Sequence, residues 1–247
     1  MKEQLLRLWQ SVGNALLPRY CCVCGRRLLI NERVLCVSCL AHLPLTNIKG
    51  RRHNIVERLL WNDVVGVERA SSMLYYRPRS SYCNIYFSFK YQHQPQVAVY
   101  FGRLMAQELA DTSFFNGIDC IVPIPLSRKR QKERGYNQSE YLAKGISMVT
   151  HLPIDTTSIQ RVVDNPTQTQ VLYSQRYANV RGIFKLISPE RLAGKHVLIV
   201  DDMITTGSTT SACAREVLCA KNARVSVLSL GLSDKNKDVE IPQWRRK

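Results

Sequence analysis

The stretch Val197-Leu-Ile-Val-Asp-Asp-Met-Ile-Thr-Thr-Gly-Ser-Thr-Thr210 constrains this chain more than any other. With His196, its first residues form an apolar, β-branched run that reads as a strand buried on both faces. Two carboxylates, Asp201 and Asp202, close the strand. A loop of hydroxyls with one glycine follows, and a helix is predicted from about Thr209 to Lys221. Residues Arg224–Leu230 then read as a further strand. Strand, helix, strand alternation predicts a parallel sheet with crossover helices.

Ligands of open α/β sheets bind at the carboxyl ends of the strands. Here the loop amides and the helix N-terminus form an anion cradle, to which the threonine and serine hydroxyls add donors. Gly207 lets the backbone curl around a phosphate. The carboxylates repel that phosphate and suit a neighbouring group instead, either sugar hydroxyls or Mg²⁺. A phosphate next to a diol describes a ribose 5-phosphate. The Walker A and Rossmann glycine patterns are both absent.

The nine cysteines divide into two kinds. Cys21 and Cys24, then Cys36 and Cys39, are two Cys-x2-Cys knuckles eleven residues apart, spaced to supply four thiolates to one tetrahedral zinc. Such a site is closed, so the zinc is expected to be structural. Cys22 is an extra thiol beside the first knuckle. The other four are scattered, and with no secretory signal they point to a reducing cytosol. No apolar run reaches the roughly 18 residues of a transmembrane helix. The chain is therefore expected to be cytoplasmic and not integral to the membrane.

The 35 Lys+Arg against 19 Asp+Glu give a net charge of +16, which favours polyanions. The segment Arg128-Lys-Arg-Gln-Lys-Glu-Arg134 alone carries five positive charges in seven residues. It reads as a solvated loop, a phosphate-steering element or a nucleic-acid contact. An aromatic-rich region from Tyr75 to Tyr91 ends beside Lys90 and reads as core packing or a base-stacking surface.

Taken together, Val200-Asp-Asp-Met-Ile-Thr-Thr-Gly-Ser-Thr209 resembles the phosphoribosyl pyrophosphate (PRPP) signature of type I phosphoribosyltransferases. Within that superfamily the chain resembles the ComF competence protein family. The likeness also rests on the cysteine module, on Val122–Arg128 with Arg134–Gln138, and on Thr167, Gln170, Arg176, Asn179 and Phe184. It implies an α/β fold: a parallel-sheet phosphoribosyltransferase-like domain preceded by a small four-cysteine zinc-ribbon-like module. It also implies roles. Asp201 and Asp202 would hold the ribose hydroxyls and act in catalysis. Thr205, Thr206, Gly207, Ser208 and Thr209 would surround the 5-phosphate. Leu126, Ser127 and Arg128 would form the pyrophosphate loop, and Arg176 and Arg181 would lie on a mobile loop.

The expected organisation is an amphipathic helix over 1–17, the zinc module over 18–45, a connector with helical and strand stretches over 46–115, the phosphoribosyltransferase-like domain over 116–232 and a basic tail over 233–247. The expected cofactors are structural Zn and Mg with PRPP. The expected partners are PRPP, single-stranded DNA and proteins of the DNA-uptake machinery. Two functions compete: Mg-dependent transfer of phosphoribosyl to a nitrogen acceptor, and non-catalytic DNA binding by a competence factor that keeps the PRPP pocket. A salvage enzyme is a third, weaker reading, since nothing in the chain resembles a base-binding hood.

Overall fold

The computed structural model describes residues 18–61, 64, 66–163 and 182–236. In chain order its elements begin with helix α1 (Val37–Ala41), helix α2 (Ile55–Trp61) and strand β1 (Val67–Tyr76). Helices α3 (Cys83–Tyr91) and α4 (Pro95–Leu109) follow, then strand β2 (Cys120–Pro123), helix α5 (Arg128–Arg134) and helix α6 (Gln138–Thr150). Strands β3 (Ile159–Arg161) and β4 (Phe184–Leu186) and helix α7 (Pro189–Leu192) come next. Strand β5 (His196–Ile204), helix α8 (Ser208–Leu218) and strand β6 (Arg224–Ser233) complete the series.

Strands β1, β6, β5 and β2 form one sheet in that order, with every pair parallel. Strands β3 and β4 make a separate antiparallel pair. Along β5 and β6 the side chains alternate between two cores. Val197, Ile199, Val225 and Val227 pack with Val56 and Leu60 of α2 and Ala214 and Val217 of α8. Leu198, Val200, Leu228 and Leu230 join Phe89, Phe101, Leu142 and Ile146 of α3, α4 and α6. Burial on both faces explains why these strands are nearly continuous apolar runs.

The cysteine module lies on the second core, to which Val23, Leu28 and Leu35 contribute. Asn84 Nδ2 donates to the Val23 carbonyl at 3.0 Å, and Tyr82 Oη donates to that of Cys39 at 3.3 Å. The chain leaving the module then runs beside β1. The Thr46 N–H donates to Met73 O at 2.9 Å and the Tyr75 N–H to Pro44 O at 2.7 Å, which covers the edge strand.

Three boundaries differ from expectation. Strand β5 continues past the apolar run to Ile204, because its backbone stays paired with β6 as far as Leu232. The acidic pair therefore sits inside the strand's last residues and is held by the sheet. Strand β1 comes from the stretch 46–115 set apart as a connector, and it pairs with β6 from Val67↔Val225 to Tyr76↔Ser233. The sheet thus has no boundary at 116. Finally, the basic run 128–134 is a helix. Ser127 Oγ accepts the Arg130 N–H at 3.3 Å to cap its start, and Gly135 closes it at φ +76°. The expected N-terminal helix over 1–17, the mobile-loop residues Arg176 and Arg181, and residues 237–247 of the tail lie outside the described residues.

Candidate functional site

The sulfurs of Cys21, Cys24, Cys36 and Cys39 all lie within 4.8 Å of one another. A tetrahedron with zinc–sulfur bonds of about 2.3 Å has edges of about 3.8 Å. Cys24 Sγ and Cys36 Sγ are 3.8 Å apart. The cluster is therefore fit to hold a metal, and four sulfurs suit zinc. The backbone prepares it, since the Cys39 N–H donates to Cys36 Sγ and the Cys36 N–H to Cys21 Sγ, both at 3.4 Å. The Cys39 amide leads the groups that pull the Cys36 thiol down to about 6, toward the thiolate a metal takes. Cys22 is pushed the other way, to about 12, first by burial and then by Cys21, and it stands outside the cluster. Glu32, which the sequence did not single out, organises the second knuckle. Its carboxylate accepts from the Leu29 and Val37 amides at 2.7 and 2.8 Å and from Arg26 at 2.7 Å.

The second site opens at the carboxyl ends of β2 and β5. It is a cleft of about 260 Å³ whose lining includes Asp201, Asp202, Thr209, Pro125, Leu126 and four cations. Those cations are Lys90 of α3, Arg130 and Arg134 of α5, and Arg161 of β3. The two carboxylates are neighbours with different surroundings. Asp202 pairs with Lys90, Nζ to Oδ2 at 2.7 Å, with both side chains mostly covered (19% and 16% exposed). Asp201 is buried. Its Oδ1 accepts the Asp202 N–H at 2.8 Å and its Oδ2 the Thr210 hydroxyl at 3.1 Å. Burial first, then the charge of Asp202, pushes its carboxyl up to about 7. Asp201 is thus poised to change its charge near neutral pH, beside Asp202 and Lys90.

Beyond the pair the backbone turns at Gly207, whose φ of +79° is a left-handed conformation that glycine adopts without strain. A Cβ there would also press Leu60 of α2 at 3.3 Å, so the turn is seated on that helix. Thr206 and Ser208 are buried and joined hydroxyl to hydroxyl at 2.9 Å, which fixes the loop from within. Thr205 and Thr209 are exposed, and Thr209 faces the cleft. Under the acidic pair, the Tyr86 ring approaches β6 so closely that a Cβ on Gly231 would lie 2.2 Å from its oxygen. That hydroxyl is buried without a hydrogen-bond partner.

Of the expected pyrophosphate-loop residues, Leu126 lines the cleft, while Ser127 is buried as the cap of α5. Arg128 is exposed at the start of α5 and does not line the cleft. Arg130 and Arg134, one helical turn apart, take that place. Lys90 had no signal in the sequence beyond its place at the end of an aromatic run. Strands β3 and β4 flank the segment to which the expected mobile loop belongs. Among the described residues, no helix is long and apolar enough to cross a membrane.

No family model matches the chain. It is 32% identical over 144 residues to the DNA utilization protein YhgH of Escherichia coli, covering 57% of this chain and 63% of that protein. It is 30% identical over 131 residues to competence protein F of Haemophilus influenzae, covering 51% of this chain and 57% of the relative. It is also 30% identical over 112 residues to competence protein ComFC of Bacillus subtilis, covering 45% and 43%. The matched stretch spans less than two thirds of each relative's length. Among solved structures, an adenine phosphoribosyltransferase is 17% identical with a TM-score of 0.38, over 63% of this chain and 78% of that one. The glutamine PRPP amidotransferase of Bacillus subtilis is 22% identical with a TM-score of 0.36, over 56% and 26%.

Proposed function

We propose that this chain belongs to the ComF family of competence proteins, binds PRPP in the cleft at the end of β5 and takes part in DNA uptake in the cytoplasm. One observation carries the reading: a strand-end carboxylate pair next to a hydroxyl loop faces lysine and arginine side chains from two helices across a single cleft. PRPP presents a phosphate, a diol and a pyrophosphate in that order. Asp201 and Asp202 accept hydrogen bonds from the ribose hydroxyls, and residues Thr205–Thr209 surround the 5-phosphate. Arg130, Arg134 and Lys90 lie where the pyrophosphate needs positive charge. Mg²⁺, bound with PRPP, would supply further neutralisation of the pyrophosphate. The cysteine module holds one structural zinc.

If turnover occurs, the ribose carbon loses pyrophosphate and develops oxocarbenium-like charge, which the acidic pair stabilises while a nitrogen acceptor attacks. The second reading, DNA binding without turnover, has its own support. Among the described residues, no ion pair engages the five cations of α5. Proteins of the DNA-uptake machinery and single-stranded DNA are the partners it implies.

Calorimetric titration of PRPP with Mg²⁺ into the zinc-loaded protein tests the main reading. The wild type should bind, and Asp201→Asn/Asp202→Asn should lose at least about tenfold in affinity, as expected for charged hydrogen bonds. Well-folded wild-type protein that gives no heat overturns it. Pyrophosphate release with candidate acceptors then separates an enzyme from a binding protein.

A further inference from the structure

We propose that the outer face of α3, together with α5, is a stacking platform for single-stranded DNA. It rests on the DNA-binding reading above and names the surface responsible. Helix α3 presents two sides. Ile85, Tyr86 and Phe89 are buried, and Lys90 turns into the cleft to meet Asp202. One turn apart on the opposite side, Phe87 and Tyr91 stand 51% and 61% exposed, with ring centroids 5.0 Å apart and planes tilted by 43°. Two adjacent aromatic rings thus stand largely in solvent on a helix whose other aromatic residues, Tyr86 and Phe89, are buried.

Their neighbour is a cation. The Arg134 guanidinium lies over the Tyr91 ring at 5.6 Å and is anchored by a 2.9 Å hydrogen bond to Gln138. Arg134 also lines the cleft, as does Arg130 one turn before it. Ring, ring, guanidinium and second arginine therefore form a continuous path from the exposed face of α3 to the phosphate cleft. Aromatic faces with interleaved arginines match a strand whose bases are unpaired and whose phosphates follow a positive track. A duplex hides its base faces from such a surface. The excess of cations along the path favours a polyanion over an apolar protein partner.

Fluorescence anisotropy with the zinc-loaded full chain tests this, using labelled oligothymidylate of about twenty nucleotides and a matched oligonucleotide of abasic sites. Stacking predicts that wild type prefers oligothymidylate by about tenfold or more. Phe87→Ala/Tyr91→Ala should lose that preference while still binding PRPP, since both rings lie outside the core and the cleft. Arg130→Gln/Arg134→Gln should weaken both probes and reduce the salt slope by about 1.4, at about 0.7 per phosphate contact. A wild type that binds both probes equally, or a double alanine variant that keeps the preference, overturns the platform but leaves DNA binding in place. A wild type that binds neither probe overturns the DNA-binding reading and the platform with it.

Discussion

The cysteine module and the strand-end cleft both crowd groups that repel one another once ionised, and they resolve the repulsion differently. In the module, four sulfurs lie within 4.8 Å, steadied by backbone amides and fit to share one metal. All four come from Cys21 to Cys39, so the site is closed and local. In the cleft, two carboxylates are balanced by one lysine from a distant helix, with the proton affinity of the buried member raised to about 7. That pair stands in the wall of a cleft that Arg130, Arg134 and Arg161 also line. A closed cluster of ligands stabilises a fold, whereas a charge pair that lines a cleft can, on the proposed reading, exchange its partner for a ligand.

The sharpest break in this contrast should come from Cys36→Ser. Metal analysis should fall from one zinc per chain to none, with a stability loss of at least several kcal/mol. The loss should reach the sheet, because Val23, Leu28 and Leu35 share its core. Cys22→Ser should leave the metal content unchanged. A smaller effect is expected beneath the cleft. Gly231→Ala should lower stability by about 1–3 kcal/mol through its clash with Tyr86. Adding Tyr86→Phe should recover part of that loss in thermal unfolding, because it removes both the clashing oxygen and an unpartnered buried hydroxyl.

Proton linkage gives two finer tests. The Asp201 carboxyl is raised on folding from 3.8 to about 7, so the native state holds the extra proton between those values. Stability should fall as pH rises through that window, and Asp201→Asn should flatten the decline in thermal melts. PRPP affinity should rise by about tenfold from pH 6 to 8 if the ionised carboxylate is the binding form, and this dependence should vanish in Asp201→Asn. The smallest effect is expected of Lys90→Met. Losing the nearby cation should move the midpoint of that pH dependence upward by a fraction of a unit, because Lys90 favours the ionised form of Asp201.

The same contrast explains what was legible in the sequence. The cysteine ligands and residues 201–209 could be read because short spacings along the chain encode their geometry. Strand β5, helix α8 and strand β6 followed from the apolar runs and the hydroxyl loop between them. Lys90, Arg130 and Arg134 could not be placed, because only tertiary packing brings α3 and α5 to the end of β5. The family resemblance implied Arg128 as the cation of the pyrophosphate loop. Once residues 128–134 form a helix, however, positions 130 and 134 face inward and 128 does not. The pairing of strand β1 with β6, which sets Val67 against Val225, joins residues far apart in the sequence and is a contact that no local pattern reports.

The central claim is that carboxylates on β5 and cations on α3 and α5 form one PRPP site. A crystal structure of the zinc-loaded protein grown with PRPP and Mg²⁺ tests it most directly. The account predicts ribose hydroxyls on Asp201 and Asp202, the 5-phosphate within Thr205–Thr209 and the pyrophosphate toward Arg130, Arg134 and Lys90. PRPP bound elsewhere, or a Lys90–Asp202 pair that stays closed over a vacant cleft at saturating PRPP, would contradict it.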